Sequence, residues 1–136
     1  MKEKGKYHSM NQKVAEQILE TVYYGRNENG CVRFRTFHAL DQNNYEVGRI
    51  TCAFKPVGDN FKGTYESGYA FCSPHDTYSK KVGQALALGR LISPRRTKTF
   101  AVRASSSALK LALRDTAFTA AQSEKVGWMQ NVAELV

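Results

Sequence analysis

Residues 73–91, SPHDTYSKKVGQALALGRL, read as the opening and body of one helix. Ser73 stands where an N-cap belongs and Pro74 suits the first helical position. Asp76 follows the cap by three residues, as the acid of a capping box does. Tyr78, Val82, Ala85, Leu86 and Gly89 recur at helical spacing and define one face. Pro94 lacks an amide hydrogen and disfavours helix at Ser93, so the spacing predicts a helix over 74–92.

Three alternating runs precede this helix. In 64–72, Tyr65, Ser67, Tyr69 and Phe71 oppose Gly68, Ala70 and Cys72. In 45–55, Ile50, Cys52 and Phe54 oppose Tyr45, Val47, Arg49 and Thr51. In 31–40, Val32, Phe34, Thr36, His38 and Leu40 oppose Cys31, Arg33, Arg35, Phe37 and Ala39. The connections between them are short, which predicts an antiparallel meander. Before the strands, Ser9 and Gln12 fit a capping box for a helix over 10–24, with Val14, Ile18, Leu19, Val22 and Tyr23 inward. Residues 1–8 read as a basic tail.

After Pro94, residues 97–103 read as a fourth strand. Ser105, Ser106 and Ser107 offer caps for a helix over 107–121, with Leu109, Ala112, Leu113, Thr116 and Ala117 inward. Lys110 and Arg114 project together from another face of it, four residues apart. Ser123 is read as the cap of a last short helix whose stripe is Val126, Met129, Val132, Ala133 and Val136, beside Trp128. This order predicts an α+β fold in one domain, 1–136: a small antiparallel sheet of about four strands, an N-terminal helix, a central basic helix and C-terminal helices.

Hydrophobic residues make up 42% and charged residues 24%, a balance that predicts a folded globular chain rather than a disordered one. No stretch approaches the roughly 18 apolar residues of a membrane span, so no membrane partner is expected. The charged N-terminus has no apolar run behind it, which argues against a secretory signal and for a cytoplasmic location. Cys31, Cys52 and Cys72 lie in strand-like runs without a Cys-x-x-Cys or paired-His pattern. They read as reduced core residues, with no metal or other cofactor implied.

The net charge of +8 is uneven. From Lys80 to Arg114 there are nine cations and no Asp or Glu. Such a block points to an anionic partner, a nucleotide or a nucleic acid. The candidate phosphate ligands are Lys80, Lys81, Arg90, Arg95, Arg96, Arg103 and Arg114. His75 and Tyr78 could add a polar contact and a stacking face. Arginine supplies a planar fork for phosphate, and tyrosines, among them Tyr45, Tyr65 and Tyr69, can stack on bases. The stretch contains no Gly-x-Ser-x-Gly element, phosphate-loop Gly-Lys-Ser, dinucleotide fingerprint or two-His zinc motif, so catalysis is not the expectation.

The pattern Ser73-Pro74-x-Asp76-x-Tyr78-Ser79-Lys80-Lys81-x-Gly83, with Ala87-x-Gly89-Arg90-Leu91, resembles a motif of small bacteriophage and prophage proteins. The likeness covers about twenty residues. The layout of a small sheet followed by basic helices is also similar to phage counter-defence sponge proteins of the Thoeris anti-defence type. That resemblance implies non-catalytic binding of cyclic nucleotide or cyclic ADP-ribose immune signals in pockets between subunits, in the host cytoplasm.

The leading expectation is therefore a phage accessory protein that sequesters a phosphate-bearing nucleotide. Two alternatives use the same charges. A nucleic-acid-binding protein would spread them along a backbone track, with affinity falling steeply with salt. An inhibitor would set them against an acidic host protein. Gly83, Ala87 and Gly89 would let helices approach closely, either in a homo-oligomer or on the chain's own sheet.

Overall fold

Three successive strands, β1 (Arg33–Leu40), β2 (Glu46–Pro56) and β3 (Thr64–Cys72), form the expected antiparallel meander. The structure is a computed structural model and describes residues 11–20, 32–43, 45–57, 63–72, 79–102, 106–123 and 131–134. Around the meander stand α1 (Gln12–Ile18), α2 (Lys80–Leu91), β4 (Lys98–Ala101), α3 (Ser106–Ser123) and β5 (Asn131–Glu134). The sheet has five strands in the order β4-β3-β2-β1-β5, each pair antiparallel. The class is α+β.

The alternation read in β1, β2 and β3 decides which residues share a face. Phe37, Ile50, Cys52, Phe54 and Tyr69 join Leu113, Ala117, Ala120 and Ala121 of α3 in one core. Val32, Ala53, Ala70 and Cys72 join α1 and α2 in the other, through Ala15, Leu19, Val82, Leu86, Leu88 and Leu91. The sheet is thus covered on both sides, α1 and α2 on one and α3 on the other. Phe37, Ile50, Leu88 and Leu113 are fully buried. Each contributes about 1.5–3 kcal/mol by leaving water. Cys52 and Cys72 are free thiols in opposite cores, which keeps them from pairing. Cys31 lies outside the described residues.

Gly68 is where α2 meets the sheet most closely. A Cβ there would stand 2.2 Å from Leu91 N and 2.4 Å from Ala87 O, so only glycine admits the α2 backbone. Gly83 and Ala87 are likewise buried, whereas Gly89 faces open space and does not belong to the inner face. The buried side of α2 is broad because α2 packs against α1 as well as against the sheet.

Three local expectations are corrected. Helix α2 starts at Lys80, and its cap is Ser79, whose extended backbone precedes the helix and whose Oγ accepts from Val82 N at 3.3 Å. The predicted cap Ser73, with Pro74 and Asp76, falls outside the described residues and upstream of that start. Asn11, not Ser9, caps α1, with Oδ1 accepting from Val14 N at 2.9 Å. Val14 is 42% exposed while Ala15 and Leu19 are buried, because α1 packs against α2 and turns that stripe inward. The third correction concerns the C-terminal stripe. Residues Asn131–Glu134 form β5, paired to β1 from Leu40↔Asn131 to Phe37↔Glu134. Backbone partners offered by the β1 edge override the helical spacing of Val132 and Ala133. Val126, Trp128, Met129 and Val136 lie outside the described residues.

Candidate functional site

Helix α3 carries its cleft by simple periodicity. Leu113, Ala117, Ala120 and Ala121 seat it on the sheet, and the small alanines bring it close. That leaves Ser107, Lys110, Leu111 and Arg114, spaced i, i+3, i+4 and i+7, along its flank. Together with Phe37 of β1 they line a cleft of about 310 Å³. This lies at the lower end of the roughly 300–1,000 Å³ range of small-molecule sites.

The lining combines charge with apolar surface. Lys110 and Arg114 stand one helical turn apart, and such a like-charged pair costs a helix about 0.2–0.5 kcal/mol on its own. An anion between them removes that repulsion and gains charge-assisted hydrogen bonds. Asp115 Oδ1 is 3.8 Å from Arg114 Nε and is well exposed, so it neutralises the arginine weakly. Ser107, in the first turn of α3, offers a hydroxyl. Leu111 is 50% exposed, and Phe37 closes the floor at 0%.

The other predicted cations are placed elsewhere. Lys80 is exposed and Lys81 half-buried in the first turn of α2. Arg90 lies ten residues on, about 15 Å along the helix axis. Its guanidinium donates to Tyr69 O of β3. Arg95 and Arg96 sit in the turn that follows α2, where Arg96 N and Thr97 N both donate to Ser93 O. Lys98 opens β4, and its carbonyl accepts from Ser67 Oγ at 3.0 Å. Helix α2 belongs to one side of the sheet and α3 to the other, so Lys80, Lys81 and Arg90 do not share a cavity with Arg114. The acid-free block is divided by the sheet. Arg103, His75 and Tyr78 fall outside the described residues.

Four residues of the cleft, Phe37, Ser107, Lys110 and Leu111, were not in the predicted site, and Arg114 was. Phe37 was legible only as a strand residue sharing a face with Arg33, Arg35 and Ala39, and Ser107 only as a helix cap. Lys110 was legible through its spacing from Arg114.

Beneath α3 lies a polar row running across the sheet. Arg35, Cys52 and Tyr69 are in register on β1, β2 and β3, and the Tyr69 hydroxyl lies among Ser67, Thr116 and Cys52. Burial pushes the Cys52 thiol and the Tyr69 phenol far up, so both are neutral at pH 7. Among the described residues, no three His, Cys, Asp or Glu side chains converge on a metal-sized site. No helix of the described residues is long and apolar enough to cross a membrane. No family model, no curated protein and no solved structure matches the chain.

Proposed function

We propose that the protein binds a phosphate-bearing nucleotide without catalysis, in the cleft between α3 and β1. The observation that carries this reading is the lining itself: Lys110 and Arg114 on one helical flank, beside a half-exposed Leu111 and above Phe37. The cations hold phosphate, and the apolar patch takes the flat face of a base. In the phage setting suggested by residues 73–91, such binding withdraws an immune signal from the host, and the site of action is the host cytoplasm.

A nucleic acid is the second reading. It is favoured by the exposed cations outside the cleft, Lys80 and Arg95, which a ligand confined to about 310 Å³ does not need.

Calorimetry with a panel of linear and cyclic nucleotides tests the first reading. Binding at micromolar levels, about −8 kcal/mol, is expected for at least one member. No heat from any member at that level contradicts it.

A further inference from the structure

Strand β5 brings an acid to the edge of the cleft. In the antiparallel pair of β1 and β5, Phe37 stands opposite Glu134 and Ala39 opposite Val132. Residues directly opposite each other share a face, with Cβ atoms about 4.5–5.5 Å apart. Phe37 and Ala39 both belong to the core under α3, so Glu134 and Val132 take the α3 side of β5. Helix α3 packs against β5 as well as against β2, β3 and β4. Glu134 is therefore placed beside the floor of the cleft, on the side of Phe37 away from β2.

The cleft thus has cations on one wall and an acid at the opposite edge. Lys110 and Arg114 supply two positive charges, and a phosphate monoester carries about −1.5 to −2 at pH 7. One such group matches the pair. Asp115 is exposed, 3.8 Å from Arg114, and offsets it weakly. Lys110 already interacts within the chain, and an ammonium has three donors to share. Among the described residues, the lining offers a second phosphate no further cation. Beyond Phe37 it would meet the acid of β5, and like charges set against each other cost affinity heavily. A hydroxyl in the same place donates a charge-assisted hydrogen bond to a carboxylate. The sugar of a nucleotide carries such hydroxyls next to its phosphate, and acids recognise them in dinucleotide sites.

We infer that Glu134 sets the ligand class of the cleft: a nucleoside monophosphate, whose single phosphate is held by Lys110 and Arg114 and whose free sugar hydroxyls donate to Glu134. The inference rests on the reading that the cleft takes a nucleotide. Negative charge at Glu134 admits the hydroxyls and turns away diphosphates and triphosphates.

The test is calorimetry of the full chain in magnesium-free buffer. The probes are the common ribonucleoside monophosphates, then the triphosphate of the best-binding base and its monophosphate lacking both sugar hydroxyls. The ribonucleoside monophosphate is expected to bind at least about tenfold more tightly than either of the other two. Glu134→Gln removes the charge and keeps an acceptor, so the disadvantage of the triphosphate should shrink by about fivefold or more. Glu134→Ala should bring the affinities with and without hydroxyls to within about twofold of each other. Thermal melts check that both variants fold, and the preferences of the parent chain carry the test if one does not.

Equal affinity of the parent chain for monophosphate and triphosphate, or an unchanged preference in folded Glu134→Gln, overturns the role of Glu134 and leaves the cleft reading standing. Equal affinity for the analogue without hydroxyls overturns the contact to the sugar. Binding of a cyclic nucleotide or dinucleotide in place of these probes overturns this inference alone. No binding of any nucleotide overturns the cleft reading with it.

Discussion

The Arg90 guanidinium donates to the backbone carbonyl of Tyr69, tying the last turn of α2 to β3. Strand β4 pairs with β3 only from Thr64 to Ser67, so Tyr69 lies beyond its reach. Arg90 supplies the donor that a longer β4 would have supplied. Arg90, expected to hold a ligand, thus has a part in the scaffold.

Arg90→Ala therefore removes a charged hydrogen bond from a partly buried carbonyl. Stability should fall by about 1.5–3 kcal/mol, read as a lower urea midpoint. Ligand affinity of the folded fraction should be unchanged. A loss of affinity with unchanged stability would return Arg90 to the binding site.

Gly68→Ala forces a methyl group into the α2 backbone at Leu91 and Ala87, and backbone yields poorly. The expected cost is about 3 kcal/mol or more. Gly89→Ala, on the open side of the same helix, should stabilise by up to about 1 kcal/mol through helix propensity alone. Thermal melts of the two variants should shift in opposite directions.

Thr51 is 1% exposed, and among the described residues its hydroxyl has no hydrogen-bond partner. Thr51→Val keeps the shape and deletes the unsatisfied group. A gain of about 1 kcal/mol in the denaturation midpoint is expected. A loss of that size would show that the hydroxyl is satisfied in solution.

His38 Nδ1 and Arg49 Nε each stand 3.0 Å from Glu46 Oε1. Partial burial works against the Glu46 carboxylate, but the bonds from His38 and Arg49 outweigh it and hold its pKa below the ordinary 4.5. The folded pKa is thus below the unfolded one. The carboxylate's contribution is fully present above about pH 4.5 and is lost as pH falls through the folded value. Arg49 and Glu46 are 37% and 39% exposed and His38 is 25% exposed, so solvent screens the cluster and the effect is small. Urea midpoints measured downward from about pH 6 should drop less steeply in Glu46→Gln than in the parent chain.

The meander was legible because period-2 alternation is strong in β1, β2 and β3, and the core residues of these strands fall on the faces assigned to them. The two-sided burial was not read from the strands, because the face opposite Ile50, Cys52 and Phe54 was represented by Tyr45, Val47, Arg49 and Thr51, whereas Ala53 and Ala70 are what it buries. Helix starts were less legible. Ser73 and Ser79 are both cap residues, and tertiary packing of α1 and α2 accompanies the choice of Ser79, whose hydroxyl also donates to Gln12 Oε1 at 3.2 Å. Strand β5 was hidden because Val132 and Ala133 satisfy a helical stripe equally well. The charge block misled for a geometric reason: consecutive elements of this chain pack on opposite sides of one sheet, so cations adjacent in sequence are separated in space.

The most direct test of the central claim compares two double variants in nucleotide titrations. Lys110→Gln with Arg114→Gln empties the cleft of charge, and Lys80→Gln with Lys81→Gln removes the same charge from the start of α2. The first should weaken binding by about tenfold or more per charge, and the second should leave it within about threefold. The reverse pattern would place the ligand on α2 and contradict the cleft between α3 and β1.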